Sequence, residues 1–257
     1  MSYAVRLSDL TLGYDGHPAV HHLTGAFAAG SLTAIVGPNG SGKSTLLKGI
    51  MGTLAPLGGS IVRTGEIAYL PQSAEIDKSF PATVSELIGL GLWKRRGLFG
   101  GFRAEDREAI AAALHAVGLN GFATRPIDTL SGGQLQRALF ARVLLEDAPV
   151  LLLDEPFTAI DEKTVSDLLG LVGQWHREGR TVIAVLHDIE LVRRHFPQTL
   201  LLAREPIGWG NTAVTLRPEN LKKARAMPEA WDDSAPWHDD AGAAPAHHDH
   251  SHEGHVH

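Results

Sequence analysis

The sequence contains no cysteine among its 257 residues, which excludes disulfides, thiolate metal ligands and a cysteine nucleophile. Long apolar runs are also missing, since stretches such as residues 181–186 are far shorter than the roughly 18 residues that span a bilayer. The first ten residues lack a charged segment followed by an apolar one, so we expect no secretory signal and a cytosolic location. The length still allows one or two globular cores.

An excess of basic residues is missing as well. Residues 232–257 contain six acidic residues and no Lys or Arg. The 23 basic residues of the chain are therefore balanced by an equal number of acidic residues within positions 1–231. Because this body is neutral, we expect no nucleic-acid partner of the general, charge-driven kind.

Hydrophobic patterning predicts an α/β protein with a helical insertion. Residues 3–30 alternate apolar runs with glycine-containing turns, which is typical of short antiparallel strands. A capping box at Thr83 and apolar spacing after Ala104 predict helices, whereas the glycine-rich, basic segment 93–103 predicts a loop. From Val150 onward, short strands alternate with helices, as in a parallel sheet.

The segment 37–45, with the sequence GPNGSGKST, matches the phosphate-binding pattern G-x-x-x-x-G-K-[ST] between a predicted strand and a predicted helix. Glycines let successive backbone N–H groups turn toward phosphate oxygens, and the helix N-terminus adds partial positive charge. We expect Lys43 to reach the β and γ phosphates of a nucleotide and Ser44 to bind Mg²⁺. The candidate nucleotide-binding residues of this loop are Gly37, Asn39, Gly40, Ser41, Gly42, Lys43, Ser44 and Thr45.

A second motif, VLLLDE at residues 150–155, ends an apolar strand with two carboxylates. Ligands of open α/β sheets bind at the carboxyl ends of strands. Asp154 therefore fits Mg²⁺, directly or through water, and Glu155 fits polarisation of an attacking water. Taken alone, such a strand end often has only a structural role. The functional interpretation depends on the presence of the phosphate loop in the same chain.

A third motif, LSGGQ at residues 130–134, precedes a predicted helix and offers a second anion-binding helix start. Together the three motifs resemble the ATP-binding cassette (ABC) ATPase family, from Tyr14 to about His195. The resemblance implies an ATPase domain over residues 1–231. Its parts are a P-loop NTPase (RecA-like) core, an N-terminal antiparallel β subdomain and an α-helical signature subdomain at about 73–145. The signature residues are Ser131, Gly132, Gly133 and Gln134.

The same resemblance implies further roles and a dimer. It assigns Tyr14 to stacking on adenine, Gln72 to Mg²⁺ and the attacking water, and His187 to the γ-phosphate. It assigns Asp161 to a dimer contact, within a head-to-tail homodimer that holds ATP between the phosphate loop of one subunit and segment 131–134 of the other. Structural alternatives are a strand end for Tyr14, a surface position for His187 and a helix cap for Asp161.

Details of the chain favour one branch of the family. The helical insertion has no heptad arm and the chain has a single cassette, which favours a transport subunit over ABC proteins of DNA repair or translation. The segments FPATV at 80–84 and PFT at 156–158 resemble the manganese/zinc branch of bacterial importers.

That branch implies a separate integral-membrane permease dimer, an extracytoplasmic metal-binding protein and a peripheral position on the cytoplasmic face of the bacterial membrane. The alternatives are a non-transport ABC ATPase acting on nucleic acid or ribosomes, and an importer ATPase for manganese, haem or an iron chelate.

Residues 232–257 are rich in Ala, Pro, Asp and His, and their low apolar content predicts a disordered tail. Seven of the 14 histidines lie within residues 237–257. Imidazoles on a flexible chain can converge on Zn²⁺, whereas manganese prefers oxygen ligands, so the tail favours zinc over manganese. The alternative is an inert solvated tail or a vector remnant. The candidate zinc ligands are His247, His248, His250, His252, His255 and His257.

Overall fold

Two β-sheets organise the computed structural model, which describes residues 2–73, 76–96 and 103–226. The first sheet is antiparallel and has the strand order β2-β1-β4. Its strands are β1 (Tyr3–Tyr14), β2 (His17–Ala28) and β4 (Gly58–Arg63). This sheet confirms the predicted antiparallel β subdomain at the N-terminus.

The first two strands are longer than the sequence pattern predicts. Each has 12 residues, and their register shifts between Leu7 and Leu10. Asp9 and His22 adopt positive φ angles of 47° and 46° near this shift. The Asp9 carboxylate lies 2.8 Å from Nδ1 of His22. Bulges of this kind let a strand continue through a polar interruption that, in the sequence, resembles a strand end.

The second sheet has the order β5-β6-β7-β3-β8-β9. Neighbouring strands from β5 to β8 are parallel, and β9 pairs with β8 in the antiparallel direction. All five residues of β3, β6 and β7 are buried, which explains their continuous apolar runs. The strands are β3 (Leu32–Val36), β5 (Ile67–Leu70), β6 (Val150–Asp154), β7 (Thr181–Val185), β8 (Gln198–Ala203) and β9 (Glu205–Asn211).

Helices pack around this sheet, and some of them form the predicted helical insertion. Within the described part of the chain they are α1 (Lys43–Met51), α2 (Val84–Gly89), α3 (Trp93–Arg96), α4 (Ala104–Ala116), α5 (Gly132–Glu146), α6 (Glu162–Arg177), α7 (Ile189–His195), α8 (Thr212–Thr215) and α9 (Pro218–Arg225). Helices α2, α4 and α5 pack on one another as the helical subdomain. The capping box at Thr83 is formed as predicted.

The loop predicted for segment 93–103 is wrong at its start. Trp93–Arg96 form one helical turn that continues a 3₁₀ turn at Leu90–Leu92. Lys and Arg have good helix propensity, so the charged residues after Trp93 extend the preceding turn instead of ending it. Residues 97–102 of that prediction lie outside the described residues.

The central strands β6, β7, β3 and β8 of the six-stranded sheet are buried on both faces. Side chains alternate along β6, so that Leu151 and Leu153 join a cluster with α5 and α6, while Leu152 joins a cluster with β1, β2 and α1. On the first side the rings of Phe140 and Trp175 stack with centroids 5.6 Å apart. Because both faces are packed, the carboxyl edge of the sheet is a rigid platform for the polar side chains that follow it.

Candidate functional site

The phosphate loop follows β3 and leads directly into α1, as predicted. Gly40 and Gly42 adopt positive φ angles of 74° and 89°, which favour glycine. A Cβ on Gly37 would lie 1.9 Å from the carbonyl oxygen of Leu202, and one on Gly42 would lie 2.5 Å from that of Ala19. The neighbouring strands therefore require glycine at both positions, and they hold the loop in place.

Lys43 is buried beneath this loop. Its Nζ donates to the carbonyl oxygens of Gly37 at 3.0 Å and Pro38 at 2.8 Å. Burial lowers the pKa of the Lys43 ammonium, and the nearby carboxylates of Glu155 and Asp154 act in the opposite direction. The direct hydrogen-bond partners of Lys43 are neutral carbonyl oxygens, so a phosphate group would place negative charge in contact with the ammonium.

Ser41 provides a second sign that the loop fits an anion. Its Oγ is buried and has no hydrogen-bond partner among the described residues. Gly42, the residue before α1, provides no side-chain cap, so the first N–H groups of the helix remain available to a ligand. An orphan hydroxyl beside uncapped N–H groups fits phosphate oxygens.

Asp154 lies at the carboxyl end of β6, directly opposite Ser44. It is 3% exposed, and its Oδ1 accepts a hydrogen bond from Ser44 Oγ at 3.4 Å. Its Oδ2 accepts one from the hydroxyl of Tyr69, also at 3.4 Å. A carboxylate beside a serine hydroxyl is the oxygen donor set that Mg²⁺ prefers, so these residues fit that ion.

Glu155 lies at the centre of a polar cluster that joins three separate segments. His187 Nε2 is 2.5 Å from Oε1 of Glu155, and the amide nitrogen of Gln72 donates to Oε2 at 3.0 Å. The hydroxyl of Thr158 donates to the same Oε2 at 3.3 Å. Glu155 has a φ of 47°, so its backbone is strained where its side chain turns into the cluster. The structure thus brings together the three predicted catalytic residues.

The signature segment lies on the surface at the start of α5. Ser131 Oγ accepts from the backbone N–H of Gln134 at 3.2 Å, and the Gln134 amide oxygen accepts from the Ser131 N–H at 3.0 Å. This reciprocal pair is a capping box, and it stabilises the helix start. Ser131 and Gly132 are exposed, so a ligand can approach this helix start from outside the chain.

Asp161 caps α6, as its structural alternative predicts. Its two carboxylate oxygens accept from the N–H of Thr164 at 2.9 Å and from the Thr164 hydroxyl at 2.8 Å. These hydrogen bonds lower the pKa of Asp161. Arg137 of α5 donates to the same hydroxyl at 3.3 Å and thereby connects the cap to the signature helix.

Other predicted site residues lie away from the cluster around Glu155 or outside the residues that the structure describes. Tyr14 ends β1 with 46% of its surface exposed. The tail histidines lie outside the described residues, and within residues 2–73, 76–96 and 103–226 no group of three or more His, Asp or Glu side chains could hold a metal ion. In those same ranges, no helix has both the length and the apolar character needed to cross a bilayer.

Sequence reasoning missed two contributors to the site, Tyr69 and Thr158. Both lie next to predicted motif residues, Tyr69 three positions before Gln72 and Thr158 three positions after Glu155. Strand alternation offers a signal for Tyr69, because β5 has buried residues at Ala68 and Leu70 and a half-buried tyrosine between them. The sequence carries no comparable signal for Thr158.

Comparisons of this chain with known proteins indicate a single family. A family model described as ABC transporter matches residues 20–158. The chain is 36% identical to the manganese transport system ATP-binding protein MntB of Listeria monocytogenes over 228 residues, which cover 86% of this chain and 95% of the relative. It is also 36% identical to the zinc transport system ATP-binding protein TroB of Treponema pallidum over 233 residues, which cover 87% of each chain.

Among solved structures, the ATP-binding cassette MJ0796 in a dimeric, post-hydrolysis state with ADP and Pi superposes with a TM-score of 0.72. The sequence identity is 27%, and the match covers 81% of this chain and 98% of that one.

Proposed function

Because this chain belongs to the ABC transporter family and is an ABC-type ATPase, we propose that it hydrolyses ATP to drive uptake of a transition-metal ion through a separate permease. The observation that carries the proposal is one cluster at the carboxyl edge of the sheet. There, the start of α1 supplies Lys43 and Ser44, the end of β6 supplies Asp154 and the adjacent Glu155, and the segment after β7 supplies His187. No single structural role accounts for all of them.

The proposed reaction is transfer of the γ-phosphoryl group of ATP to water. Backbone N–H groups of the phosphate loop and the ammonium of Lys43 bind the phosphate oxygens and compensate their charge. Bound Mg²⁺ would supply further charge neutralisation at the β and γ phosphates, held by Ser44 and Asp154 with Gln72 nearby. The residues thus position the nucleotide before any proton moves.

Glu155 acts as the general base in this proposal. Its carboxylate accepts a proton from the attacking water, and His187 contacts the γ-phosphate while its ring holds Oε1 of Glu155. Before nucleotide binds, Glu155 accepts hydrogen bonds from Gln72 and Thr158 as well. Nucleotide and water must replace part of this network, which makes catalysis depend on the bound ligand.

Replacement of the base tests the catalytic role. Glu155→Gln removes the proton acceptor but keeps the side-chain size, so we expect ATP binding to persist while steady-state hydrolysis falls by about 10²- to 10⁴-fold. The measurements are phosphate release and binding of labelled ATP to the purified protein. Glu108→Gln on the exposed face of α4 is the matched control. Full hydrolysis by the Glu155 variant would remove this residue from the role.

The second catalytic surface is proposed to come from another copy of the chain. Ser131, Gly132, Gly133 and Gln134 are proposed to face the ATP held by the partner's phosphate loop, and Asp161 to approach the partner's loop. The exposure of Ser131 and Gly132 supports this proposal. Tyr14 is proposed to stack on adenine, in keeping with its exposed ring at the end of β1.

Permease docking is proposed for the helical subdomain. Phe80, Leu90 and Trp93 expose 66%, 50% and 52% of their surfaces there, an unusual concentration of exposed apolar side chains. Leu90 also lines a cavity of about 520 Å³, together with Lys94 and Glu146 among others. These features support an attachment to the cytoplasmic side of a membrane complex.

Truncation of Trp93, one of the three exposed apolar side chains, tests the proposed docking surface. Trp93→Ala should reduce co-purification with a permease co-expressed in the same cells, while ATP binding by the isolated subunit stays unchanged. Val214→Ala removes an equally exposed apolar side chain from α8 and is the control. Retention on DNA or ribosomes, with no membrane partner captured, would favour the non-transport alternative.

Zinc is the proposed ion, with manganese as the alternative that the named relatives leave open. The support is the histidine content of residues 237–257, since imidazole suits Zn²⁺ better than Mn²⁺. Deletion of residues 238–257 should lower zinc binding by the purified protein and impair growth at limiting zinc. A variant with the tail histidines replaced by asparagine controls for length. Unchanged zinc binding and growth would overturn the tail's role, and loss of manganese uptake alone in a gene deletion would overturn zinc.

A further inference from the structure

Two hydroxyl groups hold the buried carboxylate of Asp154 from opposite sides. Ser44 donates to Oδ1 and Tyr69 donates to Oδ2, each at 3.4 Å. Tyr69 lies on β5, directly opposite Leu152 of β6, which places its ring beside the end of the strand that carries Asp154. The tyrosine contact is therefore a product of strand pairing and not of neighbouring sequence.

The backbone of Tyr69 is in turn held by the helix that begins at the signature segment. Arg142 of α5 donates from its terminal guanidinium nitrogen to the carbonyl oxygen of Tyr69. The guanidinium Nε also lies 3.6 Å from Oε1 of Glu146, and both of these side chains are largely buried. Because the largely buried guanidinium holds the Tyr69 carbonyl oxygen, it connects the position of Tyr69 to α5.

We propose that Tyr69 is a positioning residue for magnesium, whose hydroxyl holds Oδ2 of Asp154 so that Oδ1 stays directed at Ser44 and the metal. This inference rests on the proposed function, since it requires Asp154 and Ser44 to hold Mg²⁺ with ATP. The terminal torsion of an aspartate is broad, so a carboxylate without this contact samples orientations that turn Oδ1 away. Hydrogen-bond partners behind metal ligands commonly affect metal affinity by about 10- to 100-fold.

The test separates magnesium binding from nucleotide binding. The purified full-length protein binds a non-hydrolysable ATP analogue, AMP-PNP, and calorimetry gives its affinity without metal and at increasing MgCl₂. We expect Tyr69→Phe to raise the half-saturating Mg²⁺ concentration by roughly threefold to tenfold, at the low end because 3.4 Å is long for a hydrogen bond. Affinity for AMP-PNP without Mg²⁺ and the thermal midpoint of the unliganded protein should stay at wild-type values.

Tyr3→Phe is the matched control, because Tyr3 lies on β1 against Arg6 and outside the site. If the wild-type protein fails to bind AMP-PNP, the proposed function itself fails and the inference with it. If the wild type binds and Mg²⁺ strengthens binding, two results would overturn the inference alone. One is the same magnesium dependence in both tyrosine variants, and the other is an equal loss of affinity with and without Mg²⁺ in Tyr69→Phe.

A double substitution provides the sharper version. In an Asp154→Ala background the tyrosine hydroxyl has no side-chain acceptor at this position, so Tyr69→Phe should cause no further change in the magnesium requirement. An additive effect of the two substitutions would show that Tyr69 acts by another route and would overturn the proposal.

Discussion

The phosphate loop and the signature segment are both helix starts that can bind an anion, but the chain surrounds them very differently. Lys43 is 6% exposed, and close backbone neighbours constrain Gly37 and Gly42. Ser131 is exposed instead, and its capping box already satisfies the start of α5. The hydrogen-bond partners of the Lys43 ammonium in the first region are neutral carbonyl oxygens, which a phosphate could replace, whereas the second region is already complete as a helix cap.

The largest effect should come from the buried cation of the phosphate loop. Lys43→Met removes the ammonium but keeps a chain of similar size, so ATP binding should weaken by about 100-fold or more because charge-assisted contacts to phosphate are lost. The thermal midpoint of the unliganded protein should stay within about 3 °C, since burial of this charge is itself unfavourable. Nucleotide-binding assays and calorimetric melting check both points. A large loss of unliganded stability would mean that Lys43 is mainly structural.

A methyl group added to the exposed signature segment should affect hydrolysis without affecting folding, which distinguishes this segment from the phosphate loop. A Cβ on Gly132 would meet only the carbonyl oxygen of Ala159 at 3.5 Å, an ordinary contact, so Gly132→Ala should fold with wild-type stability. Hydrolysis and ATP-dependent dimer formation should fall by roughly tenfold if a second copy presents its nucleotide there, because the methyl blocks close approach.

Gly170→Ala on α6, where a Cβ would meet nothing within 4 Å, is the control. Wild-type hydrolysis and dimerisation in Gly132→Ala would contradict the assignment of this surface to a partner's nucleotide. Sedimentation with ATP in the Glu155→Gln background measures the dimer.

Two capping boxes allow a matched comparison of smaller effects. Ser131→Ala and Thr83→Ala each remove the hydroxyl that caps a helix in the same subdomain, and each should cost about 1 kcal/mol of folding stability. Hydrolysis should fall several-fold only for Ser131→Ala, since Thr83 caps α2 away from the signature. Chemical denaturation and ATPase assays give the two quantities. Equal loss of hydrolysis in both variants would attribute the effect to stability alone.

The smallest expected effect concerns pH and the strand that backs the phosphate loop. Burial lowers the pKa of His21 on β2, with Glu205 acting in the opposite direction. As pH falls through 6.5, the unfolded chain takes up a proton that the folded chain does not, so stability is lost until the pH passes the lowered folded pKa. His21→Gln should therefore reduce the difference in stability between pH 7.5 and pH 5.5. The exposed His195→Gln is the control, and an unchanged difference for His21→Gln would contradict the argument.

Local patterns predicted the elements well where each pattern is complete within a few residues. The helix at Lys43–Met51 and the capping box at Thr83 are formed as expected, because glycine conformations and cap hydrogen bonds are local. The pattern predicts antiparallel strands in the region of β1 and β2 but underestimates their length, because bulges interrupt the pattern. Strand β9 joins the sheet in the antiparallel direction, and its pairing with β8 depends on contacts that alternation alone does not reveal.

The amino-acid sequence by itself determined the phosphate loop, the Asp154–Glu155 pair and the signature helix start, because each depends on residue types at short, regular spacing. Only the tertiary structure decided that Gln72, Thr158 and His187 meet at one carboxylate. It also decided that Tyr69 holds Asp154. The physical reason is that strand order in a parallel sheet sets which strand ends become neighbours, and that order is established by packing between distant segments.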